Sequence, residues 1–189
     1  MCNCGMSDSN LGSTEHPWQV MLNPIKCQGT IINERWVITV AHCTNGYRAD
    51  QLELVVGMKD DESGQAKVVR VKRIVMHPQF IKHKKTGSLA WDYCLLELAN
   101  PLEWSPKVRP ACLPQDTSND YAGAIASVKG WGDSEKKTNR KLTALKVMGK
   151  EHCGKYRDMD HMSTMCASGI GMDSCHGDSG GKLYMKAIR

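Results

Sequence analysis

Short apolar runs rich in Val and Ile recur along the chain, with polar residues between them. They are Gln19 to Leu22, Thr30 to Ile32, Trp36 to Val40, Leu52 to Val56, Val68 to Val75, Cys94 to Leu98 and Ala124 to Val128. These segments have strand length, and their β-branched residues suit a pleated, half-buried surface better than a helix. Helical periodicity is nearly absent. Turn formers separate the runs, among them Asn45-Gly46, Asp61-Glu62-Ser63-Gly64, Thr86-Gly87-Ser88, the polar stretch from Asp116 to Asp120, and Gly130-Trp131-Gly132. Many short strands divided by turns predict an all-β sandwich or barrel. The Pro-rich stretch from Asn100 to Pro114 divides the chain near its middle and reads as a connection between two β halves.

Length and composition narrow this picture. The 189 residues fit one domain or two small fused halves, and 41% hydrophobic with 24% charged residues sets disordered and fibrous classes aside. No apolar run approaches the roughly 18 residues that a membrane helix needs, so no membrane partner is expected. Nine widely spaced cysteines point to disulfides and an extracellular compartment, although Met1 to Asn10 has neither the basic nor the apolar region of a secretory signal. The net charge of +5 is modest. The basic clusters Lys82, Lys84, Lys85 and Lys136, Lys137, Arg140, Lys141 read as solvated loop surface, and no nucleic-acid partner is expected.

The most informative segment runs from Asp173 to Gly181 and reads Asp-Ser-Cys-His-Gly-Asp-Ser-Gly-Gly. Glycines around Ser179 suit an exposed nucleophile on a tight turn. A serine hydroxyl is a poor nucleophile alone and needs a base and an orienting carboxylate. The base candidate is His42, where a strand ends in Ala41-His42-Cys43. The carboxylate candidate is Asp92, which follows Trp91 and precedes an apolar strand, a place where burial demands a partner. Three His-Cys neighbours, His42-Cys43, His152-Cys153 and Cys175-His176, raise the question of zinc. No C-x-x-C pair exists and adjacent residues seldom face one metal, so no metal site is expected. Asp60-Asp61-Glu62 reads as turn chemistry in preference to a calcium loop.

The order His42, Asp92, Ser179 in these surroundings resembles the chymotrypsin-fold, trypsin-like serine proteases of peptidase family S1. Other stretches fall in the family's order: Pro17-Trp18-Gln19-Val20, Cys27-Gln28-Gly29-Thr30-Ile31, His77-Pro78, Arg109-Pro110-Ala111-Cys112-Leu113-Pro114, Gly130-Trp131-Gly132 and Met165-Cys166-Ala167. The resemblance spans about Pro17 to Met185 and implies two six-stranded antiparallel Greek-key barrels, the second truncated at its C-terminus. Residues 1–12 would be a pro-segment remnant and 13–189 the peptidase domain, with the first barrel at about 16–108 and the second at about 109–189.

The same resemblance implies a secreted, monomeric endopeptidase, made as a zymogen, with no cofactor. Its partners would be a protein or peptide substrate with Arg or Lys at the cleavage site, and a protein inhibitor. Ser179 would attack, His42 would carry the proton, Asp92 would hold the imidazole, and the amides of Gly177 and Ser179 would form the oxyanion hole. Asp173 would select Arg or Lys. Implied disulfides join Cys27 with Cys43, Cys153 with Cys166, and Cys112 with Cys2 or Cys4; Cys94 is read as a small buried hydrophobe.

Two departures qualify this expectation. Leu11-Gly12-Ser13-Thr14-Glu15-His16 offers no Arg or Lys cut site and no Ile-Val start to supply the amino group that the family sets against Asp178. An unpaired Asp178 would protonate or swing out and take the Gly177 amide with it. The chain also ends at Arg189, ten residues after Ser179, before the strand and pocket wall the family would add. The chain therefore reads as a fragment, inactive as it stands. The alternative is a non-catalytic protease homologue acting as a binding or regulatory protein; the intact Ser179 favours the enzyme.

Overall fold

The computed structural model describes residues 4–6, 16–58, 66–83, 88–115, 118–130, 141–153, 164–169 and 178–185. From the N-terminus the chain forms β1 (Gln19–Asn23), β2 (Cys27–Ile31) and β3 (Trp36–Thr39), followed by a one-turn helix α1 (Ala41–Thr44) and a 3-10 turn at Ala49–Gln51. Then come β4 (Glu53–Val56), the long β5 (Lys67–Met76), the short pair β6 (Ile81–Lys82) and β7 (Leu89–Ala90), and β8 (Cys94–Leu98).

Six of these strands close into an antiparallel barrel in the order β1-β2-β3-β8-β5-β4. Alternation sends Val20, Leu22, Val37, Leu54, Leu96 and Leu98 into the barrel, each fully buried. Burying one such side chain contributes about 1.5–3 kcal/mol relative to leaving it exposed, so this interior is the main store of stability. Cys94 lies in the same core with a free thiol, which burial pushes up in pKa and so keeps protonated and unreactive. Outside the barrel, a register shift between Val71 and Arg73 turns two successive cations toward β8. Lys72 Nζ and Arg73 Nε grip the Glu97 carboxylate at 2.8 and 2.9 Å.

The Pro-rich stretch runs along the barrel as a connection, pinned by Leu102 N–H to Glu34 O at 2.8 Å and Ala111 N–H to Ile31 O at 2.9 Å. Cys112 at its end is bridged to Cys4, which resolves the choice between Cys2 and Cys4. Beyond it lie β9 (Ile125–Gly130), β10 (Lys141–Met148), a one-turn helix α2 (Lys150–Cys153), β11 (Cys166–Ser168) and β12 (Leu183–Tyr184). Among the described residues these strands form a four-stranded antiparallel sheet, β11-β10-β9-β12, with Ala126, Leu145 and Val147 buried on it. The runs rich in Val and Ile do not reveal β10, because Lys, Leu, Ala and Met favour helix in isolation. Six paired positions with β9 override that preference.

The strand β12 ties the sheet back to the first barrel's approach segment. Tyr184 Oη lies 2.8 Å from His16 Nε2, and Lys182 Nζ sits 5.3 Å above the Trp18 ring and donates to Cys112 O at 3.4 Å. A cavity of about 810 Å³ opens between the two β bodies, lined by Thr39, Tyr93, Ala111, Gly180 and Leu183 among others. No helix among the described residues is long and apolar enough to cross a membrane.

Candidate active site

Strand register brings the base and the carboxylate candidates together. Thr39, the last residue of β3, pairs with Cys94, the first of β8. The strands are antiparallel, so the residues just after Thr39 and just before Cys94 emerge at the same end of the barrel. His42 on α1 and Asp92 on the β7–β8 turn are those residues. The Cys27–Cys43 disulfide clamps α1 to the start of β2 next to His42.

Asp92 holds His42 twice. Its Oδ1 accepts the His42 backbone N–H at 2.8 Å, and its Oδ2 lies 2.6 Å from Nδ1. The second contact places a proton on Nδ1 and leaves Nε2 as the acceptor, the arrangement a general base requires. With 29% and 20% of their side-chain surface exposed, His42 and Asp92 are reachable from solvent yet partly shielded, which strengthens their electrostatic contact.

The turn that carries Asp92 is itself braced. Trp91 adopts φ +53°, a left-handed conformation costing an L-residue on the order of 1–2 kcal/mol. Its indole stacks on the His77 ring at 4.9 Å and 9°, and its carbonyl accepts Tyr93 N–H at 2.8 Å. His77 is fixed in turn, since its N–H donates to Tyr93 O at 2.9 Å and its Nδ1 accepts from Gln79 N–H at 3.2 Å.

Ser179 sits half-buried in a tight turn closed by Gly181 N–H to Asp178 O at 2.9 Å. The turn docks on β2 through Gln28 N–H to Ser179 O at 2.7 Å. Gly180 at φ +82° is required there twice over. A Cβ would be strained by that φ, and it would collide with Gln28 O. Thr39 Oγ1 donates to the same Gln28 carbonyl at 2.7 Å, so the serine turn and the start of the histidine segment share an anchor. His42 Nε2 lies 3.5 Å from Cys43 Sγ.

The Asp178 carboxylate accepts from Gln28 Nε2 at 3.2 Å. Gln28, a buried amide on β2, thus faces the Asp178 carboxylate from inside the fold. Sequence reasoning missed Gln28, as well as Gln19 and the Trp91–His77 stack. The available signal was two glutamines inside short apolar strands. Asp173, Gly177, Cys175 and Cys2 lie outside the described residues, as does the Cys153 side chain; Cys166 is disulfide-bonded. Among the described residues no group of three or more His, Cys, Asp or Glu side chains is arranged to hold a metal ion.

Comparison with known proteins gives the site a context. The family model described as Trypsin matches residues 5–187. Complement C1s-1 subcomponent of Mus musculus is 33% identical over 186 residues, covering 87% of this chain and 27% of that protein. Venom serine protease 34 of Apis mellifera is 31% identical over 214 residues, covering 100% of this chain and 52% of that protein. Complement C1s subcomponent of Rattus norvegicus is 32% identical over 190 residues, with 89% and 27% covered. The chain thus spans about half the length, or less, of the curated relatives it matches.

Proposed function

The chain belongs to the trypsin family, and from that premise we propose that it carries the active site of a secreted serine endopeptidase cleaving after Arg or Lys. Ser179 Oγ attacks the scissile carbonyl while His42 Nε2 takes the hydroxyl proton. The same proton then goes to the leaving amine, and the bond between carbonyl carbon and amine breaks to leave an acyl group on Ser179. A water, deprotonated by His42, releases it. Asp92 keeps Nδ1 protonated and stabilises the imidazolium that forms.

The amides of Gly177 and Ser179 bind the oxyanion, and each such donor is worth roughly 3–4 kcal/mol in a site of this kind. Asp173 pairs with the substrate's Arg or Lys. Protein or peptide substrates and a protein inhibitor are the partners, synthesis as a zymogen is part of the reading, and the disulfides suit an extracellular setting.

The observation that carries the reading is the double grip of Asp92 on His42, backbone and ring together, at 2.8 and 2.6 Å. The proposal departs from the expectation of an inactive chain, because Gln28 gives Asp178 a contact within the fold; it is tested by hydrolysis of peptides that differ only in the residue before the cleaved amide. Arg and Lys peptides should be cut and Phe or Leu peptides spared, with Ser179→Ala lowering kcat at least about a thousandfold. Equal cutting of all peptides would remove the Asp173 assignment, and full activity in Ser179→Ala would remove the mechanism.

A further inference from the structure

Gln19 and Gln28 stand in strands whose neighbours face the core, and they are only 7% and 1% exposed. An amide buried that far costs on the order of 2–7 kcal/mol unless its hydrogen bonds are made. Here they are made in series. The Gln19 amide donates one N–H to Lys129 O at 2.8 Å and also donates to Gln28 Oε1. Gln28 Nε2 then donates to Asp178 Oδ1 at 3.2 Å. The chain of bonds crosses from β9 of the second sheet, through β1 and β2 of the barrel, to the turn that bears Ser179. Gln19 donates to both of its neighbours, Gln28 accepts from Gln19 and donates onward, and the series ends on a carboxylate.

Residue 28 also holds the next residue of the turn, through its N–H to Ser179 O at 2.7 Å. Space for the carboxylate is made on the opposite side. A Cβ on Gly130 would collide with Asp178 Oδ1 and would lie 2.9 Å from Gln28 Nε2.

We propose that Gln28, supported by Gln19, is a positioning residue that serves Asp178 as its internal partner and so fixes the turn presenting Ser179. The proposal rests on the reading of Ser179 as nucleophile. A glutamine that merely fills space would tolerate any isostere. A glutamine that donates to Asp178 requires an amide facing a carboxylate, and the two groups are exchangeable. When Gln28→Glu and Asp178→Asn are combined, the carboxylate now at position 28 accepts from Gln19 and from the amide now at position 178, so every bond of the relay survives with its last donor reversed.

The test compares the two single variants with the double variant, reading the rate at which a serine-directed phosphonate labels Ser179 and, in parallel, the thermal midpoint. Gln28→Glu should slow labelling roughly tenfold or more, because two carboxylates are left facing each other in a buried place, whereas Asp178→Asn, whose Oδ1 still accepts from Gln28 Nε2, should slow it by less. The double variant should return to within a few-fold of the unsubstituted chain, with its midpoint loss smaller than the sum of the single losses. A double variant slower than either single, with additive midpoint losses, overturns the relay. If the unsubstituted chain does not label at all, the nucleophile reading fails, while the midpoints still decide whether residues 28 and 178 are coupled. If a single variant does not fold, a folded double variant supports the relay and an unfolded one overturns it.

Discussion

The two β bodies hold their parts of the site in different ways. The first barrel is closed, six strands deep in mutual pairing, and the ends of β3 and β8, with the Cys27–Cys43 bridge and the Trp91–His77 stack, set His42 beside Asp92. The second sheet is open among the described residues, and its serine turn is held from the other body by Gln28 N–H on Ser179 O and Gln28 Nε2 on Asp178. A base can thus be pre-set by the register of one ladder, whereas the nucleophile is set by docking. Geometry at Ser179 depends on the barrel's integrity more than geometry at His42 depends on the sheet.

Breaking the barrel should therefore cost most. Leu96→Ala on β8 removes a side chain with 0% exposure and should lower stability by about 3 kcal/mol. Leu145→Ala on β10, at 9% exposure on the open sheet, should cost roughly 2 kcal/mol or less, both read from denaturant midpoints at constant slope. Equal losses would erase the contrast between the two bodies.

The smallest effect is expected outside the barrel. Lys72 first, and Arg73 with it, hold the Glu97 carboxyl below the usual carboxylate range. A group whose folded pKa is depressed adds stability above its unfolded value and loses it as pH falls through the folded one. Glu97→Gln should therefore lower the thermal midpoint slightly at neutral pH. The difference should vanish in strong acid and shrink in high salt. A difference that grows on acidification would contradict the ion-pair account.

What the sequence made legible follows from what is local. Runs such as Trp36 to Val40 and Cys94 to Leu98 announce strands through β-branched and apolar residues, and they lie where the barrel puts β3 and β8. The start of β2 was hidden because Cys-Gln-Gly carries little β preference, although all five residues of the strand are buried. β10 was hidden by helix-favouring residues that its pairing with β9 overrides.

In the site, His42, Asp92 and Ser179 could be singled out because nucleophilic chemistry demands those residue types, and the structure sets the first two in contact. Gln28 is marked only as a polar residue inside a short strand, which does not say which partner it meets 150 positions away. Nor does the sequence show that Trp91 adopts a left-handed backbone and stacks on the His77 ring.

The central claim is that the barrel's His42–Asp92 pair works on the docked Ser179. The most direct measurement is to treat the chain with a serine-directed phosphonate and map the adduct by mass spectrometry, with His42→Ala beside it. The account predicts a single adduct on Ser179 that is lost in the His42 variant. No adduct on the unsubstituted chain, or equal labelling of both, would contradict it.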